Sequence, residues 1–233
     1  MDEIDRFTTK WQEVEDQVIR RANMTDGHGF VKAFSYLVSK DSLLAQKASL
    51  VDDLRALRNI YSHRDRARYI AELESHVFKD LDEIYELVVH PPTVSDKFGC
   101  DVYVTKPDDY ILSVMDTMSE KVFTHVPVLD EGKLIGVFTY NSFFEWAHDV
   151  LGHRTENYFE KEKIGDINRK YILPPTVYYD CVKADLPAGN VESIFRENTK
   201  KQKRLDCLFI TDDGKKNAPI RGIITPWDLY KVW

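Results

Sequence analysis

The strongest constraint on the fold is a short corner that is written twice. Gly222-Ile223-Ile224-Thr225-Pro226-Trp227-Asp228-Leu229 has a counterpart in Gly136-Val137-Phe138-Thr139-Tyr140-Asn141-Ser142-Phe143. An apolar run followed by Thr, two residues and Asp reads as a buried strand entering a helix, where hydroxyl, carboxylate and free backbone N–H groups face one point. Such a corner can hold a phosphorylated ribose. It can equally be a helix cap with no ligand, because Thr and Asp are common at helix N-termini. The two copies differ in one respect, since Ser142 stands where the second copy has Asp228.

The repetition extends outward from the corner. Pro107 to Met115 lines up with Pro187 to Phe195, each with apolar residues at i, i+3 and i+4, the buried face of a short helix. Strand candidates follow at His125 to Leu129 and Leu205 to Thr211, each ending in a turn rich in Asp and Gly (Asp130-Glu131-Gly132 and Asp212-Asp213-Gly214). The repeated unit is strand, helix, strand, strand, helix.

With its Pro-Asp-Asp, Val-Pro-Val-Leu-Asp and Gly-Lys-Leu-Ile-Gly-Val segments, Tyr103 to Phe143 resembles a cystathionine beta-synthase (CBS) domain. Ile164 to Val232 resembles a second. Together they resemble a Bateman pair. The resemblance implies clefts that bind adenosine-containing molecules (AMP, ADP, ATP, S-adenosylmethionine or dinucleotides) and relay occupancy to an attached domain. It implies a regulatory ligand and no required cofactor. The ligand candidates are Thr225 and Asp228, with Thr139 and Ser142 as the weaker pair. His125 stands where the family often has a phosphate-contacting basic residue, although a solvated histidine at a strand end fits as well. The aligned position in the second module is Asp206, which would repel phosphate, but Lys203 and Arg204 precede it. The run Lys200-Lys201-Gln202-Lys203-Arg204 is either a solvated loop or a phosphate contact.

The N-terminal part is a different kind of sequence. Met1 to His90 contains no proline and repeats apolar spacings of three and four: Trp11, Val14, Val18; Phe30, Phe34, Leu37; Leu50, Leu54, Leu57; Leu73, Val77, Leu81, Ile84, Leu87, Val88. Breaks at Thr25 to Gly29, Lys40 to Ser42 and Ser62 to Asp65 divide it into four helices of an antiparallel bundle. Pro91-Pro92 stops the last helix. The expected fold class is α+β, with a helical bundle over residues 1–92, a first module over 93–150, a connection over 151–163 and a second module over 164–233.

Inside the bundle, Leu54 to His63 resembles the signature of HEPN domains (higher eukaryotes and prokaryotes nucleotide-binding): Arg58, Asn59, a spacer and His63. The resemblance implies a homodimer whose paired motifs form a cleft that, in many members, cuts RNA without metal. His can move a proton to or from a ribose 2′-OH near neutral pH, and Arg can stabilise charge on the phosphate. Helical geometry puts Asn59 and His63 on one face with Arg58 beside it. Each residue also has an ordinary reading: an ion pair of Arg58 with Asp52 or Asp53, a polar bundle contact for Asn59, a helix C-terminal cap for His63. Tyr61 reads as packing.

A net charge of −7 argues against a general nucleic-acid binder. Its local exception is Leu54 to Ile70, with Arg55, Arg58, Arg64, Arg66 and Arg68 against Asp65 alone. Cys100, Cys181 and Cys207 are scattered, which points to a reducing cytoplasm and to neither disulfide nor zinc. The acidic N-terminus does not look like a signal peptide, and no apolar run reaches the ~20 residues of a membrane span. His148 and His153 have a poor spacing for metal ligands on a helix. The aromatic set Phe143, Phe144, Trp146, Tyr158 and Phe159 reads as packing.

These features converge on a cytoplasmic regulator in which an adenine nucleotide controls a dimeric helical domain. That domain is either a metal-independent endoribonuclease built on Arg58, Asn59 and His63, or a non-enzymatic adaptor for dimerisation and partner docking. A third alternative is an assembly scaffold with neither ligand nor catalysis.

Overall fold

The computed structural model describes residues 3–25, 29–62, 74–151, 158–174, 177–201 and 204–232. The chain is α+β and divides into two compact units, one comprising Met1–Thr93, Pro187–Ile194 and Lys231–Trp233, the other Val94–Leu186 and Phe195–Tyr230.

The helical unit begins with α1 (Glu3–Arg21), whose Phe7, Trp11, Val14 and Val18 are fully buried at spacings of four, three and four. This stripe is the spine of the unit. Against it lie α2 (Gly29–Lys40), with Ala33, Phe34 and Leu37 inward, and α5 (Ser75–Val89), with Val77, Leu81, Ile84 and Val88 inward. The third helical stretch is interrupted at Lys47, giving a short α3 (Ser42–Gln46) and then α4 (Ala48–Ser62). On α4 the buried face is Val51, Leu54 and Tyr61, while Leu50 and Leu57 are only partly covered. Leu54 and Tyr61 fit both this face and the Leu50, Leu54, Leu57 stripe, so the difference lies in Val51, which is fully buried; Tyr61 packs edge-on to Phe7, ring centroids 6.1 Å apart.

Asp41 links three pieces of this unit. Its carboxylate accepts hydrogen bonds from the N–H groups of Leu43 and Leu44, capping α3 at 3.1 and 3.2 Å. It also pairs with Arg21 at 2.7 Å, and Arg21 donates to the carbonyls of Leu87 and Val88 at the end of α5. The segment Pro187–Ile194 joins the same unit: Ala188 N–H donates to the carbonyl of Pro92 and Ser42 Oγ to that of Gly189. Gly189 has no room for a Cβ, which would collide with the Asp41 carboxylate.

The second unit holds both repeats. The first contains α6 (Val94–Phe98), α7 (Ile111–Lys121), the antiparallel strands β1 (His125–Asp130) and β2 (Lys133–Thr139), and α8 (Tyr140–Leu151). The second contains β3 (Tyr179–Lys183), α9 (Val191–Lys200, shared between the units), β4 (Cys207–Thr211) and β5 (Ile220–Ile224), with β3 parallel and β5 antiparallel to β4. The first strand of the repeat is complete only in the second copy. In the first copy it shrinks to a single bridge from Thr105 to Val128, because Asp109 folds back to accept from Thr105 Oγ1 and Lys106 N–H and starts a turn there. The last helix of the second copy is a tight 3₁₀ helix, Pro226–Val232, instead of the α-helix seen after Thr139.

Ile111, Val114, Met118, Val126, Val128 and Phe138 form the core of the first repeat together with Ile164, Ile167 and Ile172. Val137, from the other face of the same strand, packs with Val177, Cys207 and Phe209 and so ties the two repeats into one body. Phe143, Trp146 and Phe159 stack within 5.6–6.0 Å of one another, the packing role expected of them. Phe144 remains exposed.

Candidate functional site

The two corners fold alike, because Thr and its partner three residues on satisfy each other. After β2, Thr139 N–H donates to Ser142 Oγ at 3.2 Å and Ser142 N–H donates to Thr139 Oγ1 at 3.0 Å, with the hydroxyls 2.9 Å apart. After β5, Asp228 Oδ2 accepts from both the N–H and the Oγ1 of Thr225, each at 2.8 Å, and Asp228 N–H donates to the Thr225 carbonyl. Ser142 is fully buried and Thr139 nearly so, whereas Thr225 and Asp228 are half-buried. A hydroxyl enclosed at Ser142 has no free direction for a ligand. The Asp228 carboxylate is reachable and has about four acceptor positions in all.

Beside these corners is a cavity of about 210 Å³. The first repeat contributes His125, Thr139 and Asn141 to its lining, and the second contributes Arg204, Asp206 and Trp227. Trp227 lies in the same turn as Thr225 and Asp228, which are not themselves among the described residues that line the cavity. Burial holds the His125 imidazole below its usual pKa, opposed by the negative charge of Asp206 and reinforced by Arg204. Its Nδ1 is 2.8 Å from Thr124 Oγ1. Asp206 faces the cavity with its carboxylate engaged on two sides, accepting from Tyr178 N–H at 2.9 Å and pairing with Arg204 Nε at 2.9 Å.

A wider hollow of about 720 Å³ lies elsewhere on the same unit, lined by residues including Cys100, Asp101, Asp212 and Arg221. Its one cation among the described lining residues is spent, since Arg221 is held by Asp212 through two contacts at 3.1 and 3.2 Å. None of the ligand candidates Thr139, Ser142, Thr225, Asp228 and His125 is among its described lining residues.

In the helical unit, Arg58 Nη2 pairs with Glu15 Oε2 on α1 at 3.3 Å, not with Asp52 or Asp53, and its Nη1 is 3.5 Å from the side-chain oxygen of Asn59. Asn59 is exposed. His63 lies outside the described residues, as does His153.

Of the described cavity wall, His125, Thr139, Arg204 and Asp206 are legible in the sequence, whereas Trp227 escapes its pattern. The available signal was a large aromatic residue placed between two capping residues, outside any apolar period.

Comparison with known proteins bears on this unit. Residues 94–149 match the CBS domain family. A curated relative, the uncharacterized protein MJ1225 of Methanocaldococcus jannaschii, is 25% identical over 191 residues, 80% of this chain and 58% of the relative. The chain therefore spans less than two thirds of that relative's length. Among solved structures, that of MJ1225 is similar with a TM-score of 0.45 at 23% identity, covering 65% of this chain and 52% of the other. That of CBSX2 in complex with AMP is similar with a TM-score of 0.41 at 21% identity, covering 60% and 94%. Among the described residues, no helix is long and apolar enough to cross a membrane.

Proposed function

We propose that this chain is a regulatory sensor in which the cavity bounded by His125, Arg204 and Trp227 takes an adenosine-containing ligand of the AMP, ADP, ATP or S-adenosylmethionine class. The observation that carries the reading is the convergence of both repeats on one cavity next to a corner with an accessible carboxylate. Asp228, the carboxylate of the second corner, would accept the ribose hydroxyls. The exposed Trp227 indole offers an aromatic face to a base. The CBS match over residues 94–149 supports the same ligand class, by what the resemblance to that family implies.

A nucleotide panel followed by thermal shift tests the reading. Ligand at a hundred times its Kd stabilises the folded state by about 2.7 kcal/mol. Asp228→Ala is expected to weaken binding by about tenfold, whereas Ser142→Ala, at an enclosed position, leaves affinity unchanged. The absence of any shift with AMP, ADP, ATP and S-adenosylmethionine would sink the sensor reading, and equal effects of the two substitutions would sink the asymmetry.

Occupancy can control the helical unit only as far as the ligand prefers one of its conformations. We take that unit to be a dimerising element with closed two-fold pairing. Its role as an adaptor rests on Arg58, which is tied to Glu15 within the unit. The ribonuclease reading rests on Asn59, exposed on α4 within reach of Arg58. With EDTA present, a nuclease should leave 2′,3′-cyclic phosphate ends on RNA, and His63→Ala should lower the rate by about 10²–10⁴-fold without changing the melting temperature. Failure to cut single-stranded or transfer RNA, with or without adenine nucleotides, leaves the adaptor.

A further inference from the structure

Among the described residues of the helical unit, the large apolar side chains left exposed are Val31 and Tyr36 on α2 and Ile60 on α4, at 54%, 45% and 39%. Scattered singly, such residues are ordinary on a protein surface. Here they stand beside charges of opposite sign. α2 contains no Asp or Glu, and Lys32, Tyr36 and Lys40 run along its outer side at i, i+4 and i+8, with the exposed Val31 and Ser35 on the adjoining stripe. On α4 the exposed stripe is Ser49, Asp53, Ala56 and Ile60, at spacings of four, three and four, flanked by the exposed Asp52. The basic residues of α4 are turned away from it. Arg58 pairs with Glu15 on α1, and Arg55, half-buried, lies off the stripe by helical geometry.

The two faces are complementary, one basic and one acidic, each with apolar residues among its charges. α2 is a poor match for its own copy, because pairing the Lys32, Tyr36, Lys40 stripe with itself sets lysine against lysine, and like charges brought together are costly. α4 supplies the carboxylates that α2 lacks. Resting on the reading of this unit as a dimerising element, we propose that α2 of one chain docks on α4 of a second copy, with Lys32 facing Asp53 and with Val31 and Tyr36 packing on Ala56 and Ile60. A two-fold rotation makes this contact twice, once in each direction, and so closes the pair. The apolar contact supplies most of the affinity, while the surface charges choose the partner face and are screened by salt.

Two measurements on the full chain test this. Analytical ultracentrifugation should show a dimer that Lys32→Glu and Asp53→Lys each weaken by about tenfold, since the altered charge enters the interface twice. Combining Lys32→Glu with Asp53→Lys in one chain should restore the dimer, and Tyr36→Asp should weaken it with no such rescue. All these positions are on the outer side of their helices, so circular dichroism should find every variant folded. The contact itself is read by zero-length carbodiimide coupling, which joins a lysine amine to a carboxylate it touches, on a mixture of unlabelled and isotope-labelled chains. Mass spectrometry should find a mixed-isotope peptide pair linking Lys32 to Asp52 or Asp53. A dimer that forms no such link between chains, or that is weakened by both single charge reversals yet not restored by their combination, overturns the proposal while the dimer reading stands on another surface. A wild type that stays monomeric across micromolar concentrations removes both.

Discussion

Asp41→Ala is expected to lower the stability of the helical unit by about 3–5 kcal/mol, the usual cost of stripping one partner from a buried ion pair. Arg21 and Asp41 are 12% and 2% exposed at their side chains, so the guanidinium left behind has little water to turn to. It would retain the carbonyls of Leu87 and Val88 but lose its counter-charge. The same substitution removes the acceptor for Leu43 and Leu44 N–H, adding a capping loss of about 1 kcal/mol. Asp41→Asn separates the contributions, since an amide oxygen still caps α3 while the charge is gone. Urea unfolding followed by far-ultraviolet circular dichroism checks both variants. A loss below about 1 kcal/mol in Asp41→Ala would mean that the Arg21 guanidinium reaches water or another partner once the carboxylate is gone.

That ion pair also marks where reading the sequence stops. The residues Lys40 to Ser42 announce a helix break with a capping side chain, and Asp41 does cap α3. Its partner, however, ends a different helix, and no local period connects Arg21 to it. Arg58 shows the same limit: the nearby acids Asp52 and Asp53 are the partners a sequence suggests, while the observed one is Glu15 on α1. Patterns of period and turn carry further. The buried stripe of α1 and the order of strands around both corners follow from spacing alone, because burying one face is what holds a helix or strand in place. On α4 the expected and observed stripes share Leu54, and spacing alone does not say that Val51 is buried while Leu50 is only partly covered. At the cavity, local sequence shows Asp206 and Arg204 as opposite charges near each other, but only the fold shows Asp206 turned onto Tyr178 and Arg204 held at one edge.

The glycines that open the two corners should tolerate no side chain, for the same reason in both. At Gly136 a Cβ would lie 2.8 Å from the carbonyl oxygen and from Cγ1 and Cδ1 of Ile172, whose carbonyl accepts from Val137 N–H at 2.9 Å. At Gly222 it would lie 2.7 Å from the Phe98 carbonyl oxygen and 2.6 Å from Ile210 Cδ1, where Gly99 bridges to the strand. Each repeat thus lays a further segment of chain directly on its last strand, and the missing side chain is what allows the approach. Neither glycine has the positive φ that would itself demand glycine. Backbone entropy alone would therefore favour alanine by about 0.4–1 kcal/mol. Crowding acts the other way, at about 1–3 kcal/mol for overpacking, with about 1 kcal/mol more at Gly136 if the Val137 hydrogen bond is lost. Gly136→Ala and Gly222→Ala are each expected to destabilise the second unit by about 1–3 kcal/mol net, measured by urea unfolding with tryptophan fluorescence. A variant as stable as the wild type would show that the overlying segment can lift away at little cost, and the close approach would then not explain why glycine stands at both corners.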